Sequence, residues 1–251
     1  ATENCWPPQW NEIAIAPLVK NGTNNPNLSD NRRPIGLQCR GKMLAEALLY
    51  PNIEAPAERV LMDTQYGFRK GKSCQDAHLI VLHLIEEAYR TKQDLYICFV
   101  DWSDAYTTLQ HDLLVCILSH FKVHAHALNI VVAWYTNINL YYNSWYGPSD
   151  LFRQSRGVIQ GSILSCPIFN MYVTPLSRCI HSHMTGVTIL DEKVTQIDYA
   201  DNKAILARTP EDLQVGLDFV SKWACDTGMR VNVKEDCSKT AVLSIEWKQG
   251  K

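Results

Sequence analysis

The sequence predicts an α+β fold in which a small, mainly antiparallel sheet packs on helices. Two short runs, at 95–100 and 196–206, have the length and apolar content of buried strands, and a polar tip splits the second into a hairpin. Helical segments complete the order strand, helix, helix, hairpin, helix, strand, which belongs to the α+β class. With 251 residues and 46% apolar composition, the chain can bury a substantial core as one large domain or two small ones.

Taken in order, residues 1–36 are rich in Pro and Asn around one apolar run, 13–19. This predicts a strand, a polar loop after Lys20 and a second strand over 33–37. Met43, Ala47 and Leu48 predict a short helix from Lys42 to Tyr50, ended by Pro51. Glycines 67 and 71 mark 65–73 as a loop. Ala77, Ile80, Val81, Leu84, Ile85 and Ala88 then fall on one face of a helix. The strand at 95–100 ends on Asp101. His111 to Trp134 reads as largely helical, 137–142 as a strand, 157–162 as a loop, and 163–184 as a helix interrupted early by Pro167. In the hairpin, Asp201 and Asn202 are expected at the turn, because both tolerate the backbone angles a turn requires. Pro210, Glu211 and Asp212 open a helix that runs to Asp226 and stops at Gly228. A last strand is expected over 240–245.

Formal net charge is −2, so overall charge gives no sign of a nucleic-acid partner. Its distribution is uneven: eight bases stand against four acids between Arg32 and Lys72. That excess is compatible with a phosphate-facing lobe and equally with an ordinary solvated face. Nine scattered cysteines without a C-x-x-C pair point to reduced, mostly buried thiols in an intracellular protein, not to a disulfide framework or a zinc site. Nucleus, cytoplasm and organelle stay open. No apolar run reaches the length of a membrane span, and the N-terminus is no signal peptide, so the sequons at Asn21 and Asn27 carry no expectation of glycosylation. The abrupt start, and an end soon after the last strand, suggest a piece of something longer. The aromatic stretch from Trp134 to Trp145 reads either as a partner interface or, more plainly, as buried core.

Asp101 and Asp201 are delivered on the ends of separate buried strands. Singly each is a solvated turn residue; together they suggest a site for a hard divalent cation, which takes oxygen ligands from one or two carboxylates and from phosphates.

Three stretches sharpen this: Phe99-Val100-Asp101-Trp102-Ser103-Asp104-Ala105-Tyr106, the run from Arg156 through Gln160-Gly161 to Ser165, and Tyr199-Ala200-Asp201-Asn202. In this order and spacing they resemble the successive palm motifs of reverse transcriptases, and within these the non-LTR retrotransposon and group II intron branch. Upstream, Arg33-Pro34-Ile35 and the segment from Gln65 to Ser73 resemble that branch's fingers motifs. Downstream, Trp223, Gly228 to Asn232, and Lys239-Thr240 resemble its next palm motif. The resemblance covers about residues 13–245 and implies a right-hand polymerase architecture. Residues 1–90 would be fingers-like and 91–251 palm-like, the two interleaved around 115–160, with the thumb absent.

The resemblance also implies roles. Asp101, Asp201 and Asn202 form the catalytic set, with Asp101 and Asp201 holding Mg²⁺ or Mn²⁺. Tyr106 stands where the family keeps an aromatic ring under the sugar of the incoming nucleotide, a position that excludes a 2′-hydroxyl; a core tyrosine is an equal reading. Gln160 and Gly161 match the loop against template and incoming base. Lys20 and Arg33 match fingers residues that grip the triphosphate. Arg69, Lys70 and Lys72 would meet nucleic acid, Arg69 on the template backbone; each is otherwise a surface base. The partners implied are RNA, with DNA as a second candidate, alone or in a larger ribonucleoprotein or protein assembly, and no membrane.

Departures from the family pattern matter as much. Asn202 stands where a second aspartate is usual, and an amide oxygen brings no negative charge to compensate two cations. Asp198 lies three residues before Asp201 and so points to the opposite face of the strand. Ile159 replaces a proline, Thr107 an aspartate, and Cys166 the usual residue before Pro167. Two functions follow. The chain is a working RNA-directed DNA polymerase core with a weakened second metal position, favoured by Asp101, Gln160, Gly161 and Arg33. Alternatively it is a domesticated, inactive domain serving as a structural or RNA-binding subunit, favoured by Asn202, neutral charge and the missing thumb. The second reading has the slight edge on sequence.

Overall fold

The computed structural model describes residues 7–20, 25, 28, 31–144, 146–233 and 240–247. The sequons at Asn21 and Asn27, together with Trp145 and Lys239, lie outside the described residues. The principal elements are β1 (Glu12–Val19), β2 (Arg32–Leu37), α1 (Arg40–Val60), α2 (Cys74–Thr91), β3 (Leu95–Val100), α3 (His111–His120), α4 (Ala125–Thr136), β4 (Asn139–Ser144), α5 (Ser165–His183), β5 (Gln196–Tyr199), β6 (Asn202–Ala207), α6 (Pro210–Thr227) and β7 (Ala241–Ile245). They fall into two compact units, each drawn from two separate stretches: Ala1–Ala57 with Tyr106–Phe169, and Glu58–Ala105 with Asn170–Lys251.

In the first unit β1 lies between its partners. It pairs antiparallel with β2, Val19 opposite Arg32, and parallel with β4, Ile13 opposite Leu140. Ile13, Ala14 and Ile15 are buried, whereas Leu18 and Val19 at the far end are exposed. Leu114 and Leu118 of α3 and Val131 and Trp134 of α4 join the core, each such side chain contributing about 1.5–3 kcal/mol on burial.

The single helix expected from His111 to Trp134 is two. Lys122 takes a left-handed φ of 61°, and the chain turns there so that Phe121 and Val123 are both buried. Nor does Pro51 end the first helix, since α1 runs on to Val60 with Pro51 and Pro56 inside it. Leu49, Ile53 and Ala57 are buried at helical spacing, and this continuing apolar stripe outweighs the hydrogen bond each proline removes. Trp134, Tyr135 and Ile138 are also core residues, so this part of the aromatic stretch offers no surface, while Tyr142 and Tyr146 are exposed.

The second unit is built on a four-stranded antiparallel sheet in the order β5-β6-β3-β7. Strand period two sends Leu95, Ile97, Ile197, Ala204, Leu206 and Ile245 to one face, where they meet Ala77, Val81, Leu84 and Ala88 of α2. A reciprocal capping box between Ser73 and Asp76 starts α2. Pro210 opens α6 and Gly228, at φ 70°, ends it, as the sequence predicts, and Thr209 caps its start. Gly216 lets α6 close on the sheet, for a Cβ there would stand 2.9 Å from the Ile205 side chain. Pro167 does not interrupt α5; it lies in the first turn, where a missing N–H leaves no bond unmade. Among the described residues no helix is long and apolar enough to cross a membrane, and the seven described cysteines are free thiols.

Candidate active site

Asp101 and the Asp201 turn belong to the second unit. Tyr199 pairs with Asn202, so the two turn residues are Ala200 and Asp201, and Asn202 is the first residue of β6. This corrects the expected turn by one position. The left-handed residue is Ala200, at φ 57°, and neither Asp201 nor Asn202 takes a positive φ. Alanine adopts that conformation at a cost of about 1–2 kcal/mol, and something must hold it. Gln65 does: its Oε1 accepts from the Ala200 N–H at 3.0 Å and its Nε2 donates to the Ala200 carbonyl at 3.4 Å.

Val100 is paired with Lys203, so the next residues, Asp101 and Asn202, are cross-strand neighbours where β3 and β6 end. Asn232 fixes Asp101 twice: its Nδ2 donates to Asp101 Oδ2 at 3.0 Å and its N–H to the Asp101 carbonyl at 2.8 Å. Thr240 Oγ1 accepts from the Asp101 N–H at 3.3 Å. A cleft of about 440 Å³ runs between α2 and the sheet, with Val81, Ile85, Phe99 and Ala204 on its walls and Asp101 and Asn202 in its polar lining.

Asp101, Asp201 and Asn202 carry oxygen donors, the type that hard cations such as Mg²⁺ or Mn²⁺ take together with phosphate and water. Among the described residues no group of three or more His, Cys, Asp or Glu side chains is arranged to hold a metal ion. Asp198 cannot supply the missing carboxylate. It is buried, and its Oδ1 accepts from Lys203 Nζ at 2.7 Å while Oδ2 accepts from Ser177 at 3.0 Å.

Lys20, Arg33, Tyr106, Gln160 and Gly161 belong to the first unit. Gln160 is bridged to Ile35 of β2, two residues from Arg33, and its carbonyl accepts from the Gly36 N–H at 2.6 Å. Gly161 has φ 119° and its Cα passes so close to Gly36 that a Cβ would stand 2.7 Å from the Gly36 carbonyl oxygen, so only glycine fits. Beneath this loop Glu46 is buried; Ser162 Oγ donates to its Oε2 at 2.8 Å and Gln38 Nε2 to its Oε1 at 2.6 Å. Burial pushes the Glu46 carboxyl up and the Lys42 ammonium down. Lys42 lies 5.5 Å from the centre of the Trp134 ring. Tyr106 stacks on Phe169, centroids 4.7 Å apart and planes within 9°. Arg33 is exposed and Lys20 half-buried.

The three bases after Gln65 differ. Arg69 forms a fork with Glu58, at 3.0 and 2.8 Å, and donates to the Met62 and Gln65 carbonyls. Lys72 bonds to the Asp63 carbonyl and sits 4.7 Å from the Tyr66 ring centre. Lys70 is exposed. Sequence reasoning gave no role to Gln65, Glu46, Asn232 or Lys203. The glycine at 67 was the one visible sign that the segment from Gln65 approaches another backbone.

Residues 20–245 match the family described as "Reverse transcriptase (RNA-dependent DNA polymerase)". Among known proteins, the chain is 26% identical over 160 residues to a Pol polyprotein of the retrotransposable element R2 of Bradysia coprophila, covering 64% of this chain and 18% of that protein. It is 27% identical over 206 residues to a probable RNA-directed DNA polymerase from transposon BS of Drosophila melanogaster, covering 80% and 22%. The chain thus spans about a fifth of the length of these relatives. In fold it resembles apo telomerase from Candida tropicalis, with a TM-score of 0.68 at 12% identity over 100% of this chain and 47% of that one. Telomerase from Candida albicans bound to a telomeric RNA fragment gives 0.64 at 13% identity, over 97% and 43%. With a family match over nine-tenths of its length, this chain belongs to the reverse transcriptase family.

Proposed function

We propose that the chain is the fingers-and-palm part of an RNA-directed DNA polymerase whose chemistry is weakened at one position, Asn202. The observation that carries this is the register at the sheet end, where Asp101 and Asn202 are cross-strand neighbours with Asp201 in the adjoining turn. Asp101 and Asp201 are the residues that would hold a divalent cation. When bound, Mg²⁺ or Mn²⁺ would offset the charge of the reacting phosphate.

The chain's own residues do the rest. Asn232 keeps Asp101 oriented, and the Gln160–Gly161 loop offers a close backbone surface to a base pair. Tyr106, braced on Phe169, stands as the sugar gate, while Lys20 and Arg33 meet the triphosphate and Lys70 the template. Asn202 donates no charge, so a second cation is held weakly and synthesis is slow. RNA as a template agrees with the names of the matching family and of the relatives. The inactive, RNA-binding reading is favoured by the same Asn202.

Primer extension on an RNA template with Mg²⁺ or Mn²⁺ separates the two. Extension abolished by Asp101→Ala supports a polymerase. Template–primer binding with no extension from the native protein, in either metal, supports the binding subunit.

A further inference from the structure

The segment Thr64–Gly67, just before Arg69, Lys70 and Lys72 in the chain, is bound to the hairpin. The Asp198 N–H donates to the Thr64 carbonyl at 2.8 Å, and the Tyr66 N–H to the Asp198 carbonyl at 2.7 Å. Gln65 is thereby bridged in parallel to Asp198, on the open edge of β5. The Gln65 side chain is 4% exposed, and its amide is committed to main chain: Oε1 accepts from Ala200 and Gly67, and Nε2 donates to the Ala200 carbonyl.

The approach is close enough to dictate composition. A Cβ on Gly67 would stand 2.1 Å from the Ala200 nitrogen. From the other side, Asn170 Nδ2 donates to the Gly67 carbonyl at 2.8 Å, and the Arg69 guanidinium to the Gln65 carbonyl at 3.2 Å.

We propose that Gln65 is a positioning residue for the active turn: its amide holds Ala200 in the left-handed conformation that sets the direction of Asp201. An alanine leaves that conformation readily when nothing holds it, because its Cβ crowds the following carbonyl. Gln65 grips both the N–H and the C=O of Ala200, so rotation of either flanking peptide breaks a bond. Arg69 and Asn170 act one step further out, holding the segment that presents Gln65. The inference rests on the reading of Asp201 as a cation ligand only for its effect on the metal; the clamp on Ala200 stands apart from it.

Amide hydrogen exchange and Mn²⁺ affinity, measured on the same protein, test it. Gln65→Ala is expected to raise exchange at Ala200 by about tenfold, the factor for one lost hydrogen bond, while β3 amides stay protected. Mn²⁺ affinity should fall by about as much, and Gln65→Ala should matter less in an Ala200→Gly background, where the turn no longer strains a side chain. A merely structural role would leave that coupling at zero. Should Gln65→Ala fail to fold, Gln65→Met keeps the side-chain bulk and removes both bonds to Ala200; faster exchange at Ala200 is again expected. Unchanged exchange at Ala200 with intact β3 protection overturns the proposal. If the native protein binds no Mn²⁺ at this turn, the cation reading fails, and exchange still decides the role of Gln65.

Discussion

Lys203 and Asp198 form an ion pair with 2.7 Å between Nζ and Oδ1, both side chains 4% exposed, on the sheet face opposite Asn202. Lys203 also donates to Ser177 at 2.9 Å and to Gln196 at 3.2 Å, so the charge is enclosed by a hydrogen-bonded group on β5, β6 and α5. A carboxylate stands next to Tyr199 and is unavailable to any cation at the turn. Lys203→Ala should destabilise the fold by about 3–5 kcal/mol, because Asp198 is left charged and buried. The pair Lys203→Met with Asp198→Ala should cost less than the two single changes summed. Urea unfolding of the three variants measures it.

Gly67→Ala should be among the most damaging small substitutions. The added methyl would meet backbone, not a movable side chain, at 2.1 Å from Ala200 N. A loss of about 2–3 kcal/mol is expected from the forced separation, read as a lowered midpoint of thermal unfolding. Gly71, with open space around the same atom, is the control for crowding, although its φ of 76° is itself unfavourable to alanine.

Glu46 makes stability depend on pH in a definite direction. Burial raises its carboxyl above the ordinary value of 4.5, while Ser162, Gln38 and Lys42 pull it back. The unfolded chain therefore releases this proton at lower pH than the native protein does. What Glu46 contributes is fully present below 4.5 and is lost as pH rises through the raised value. The native protein should lose stability relative to Glu46→Gln as pH rises from 4.5 through the raised value, seen in urea unfolding at successive pH values. A difference that grows in the opposite direction would contradict the direction assigned to Glu46.

Tyr106 separates a sugar gate from a packing residue. Its stacking on Phe169 predicts a stability loss of about 2 kcal/mol for Tyr106→Ala under either role. As a gate, the same change should raise incorporation of ribonucleotides relative to deoxynucleotides by about tenfold, a modest steric discrimination. Steady-state selectivity with paired nucleotides checks it.

How much of this the sequence carries depends on the range of the cause. The strand leading to Asp101, the apolar face of α2 and the Pro210 start and Gly228 stop of α6 follow from local period and end signals, and they are where residue types place them. The turn itself was misjudged by one residue because what holds Ala200 is 135 positions away, at Gln65. Pro51 fails to stop α1 because Ile53 and Ala57 bury the next turn, a tertiary gain that no local rule contains. The paired aspartates are legible as candidate ligands. Asn232 and Glu46, which hold Asp101 and the Gln160 loop, were not, since a buried polar side chain looks like any surface one until its partners are known.

Binding of Mn²⁺ to the native protein, to Asp101→Ala and to Asn202→Asp, followed by electron paramagnetic resonance, tests the central claim most directly. The native protein should show a site that Asp101→Ala weakens by about tenfold or more and that Asn202→Asp strengthens by about as much, since a carboxylate replaces a neutral amide beside it. Mn²⁺ affinity indifferent to both changes would contradict it.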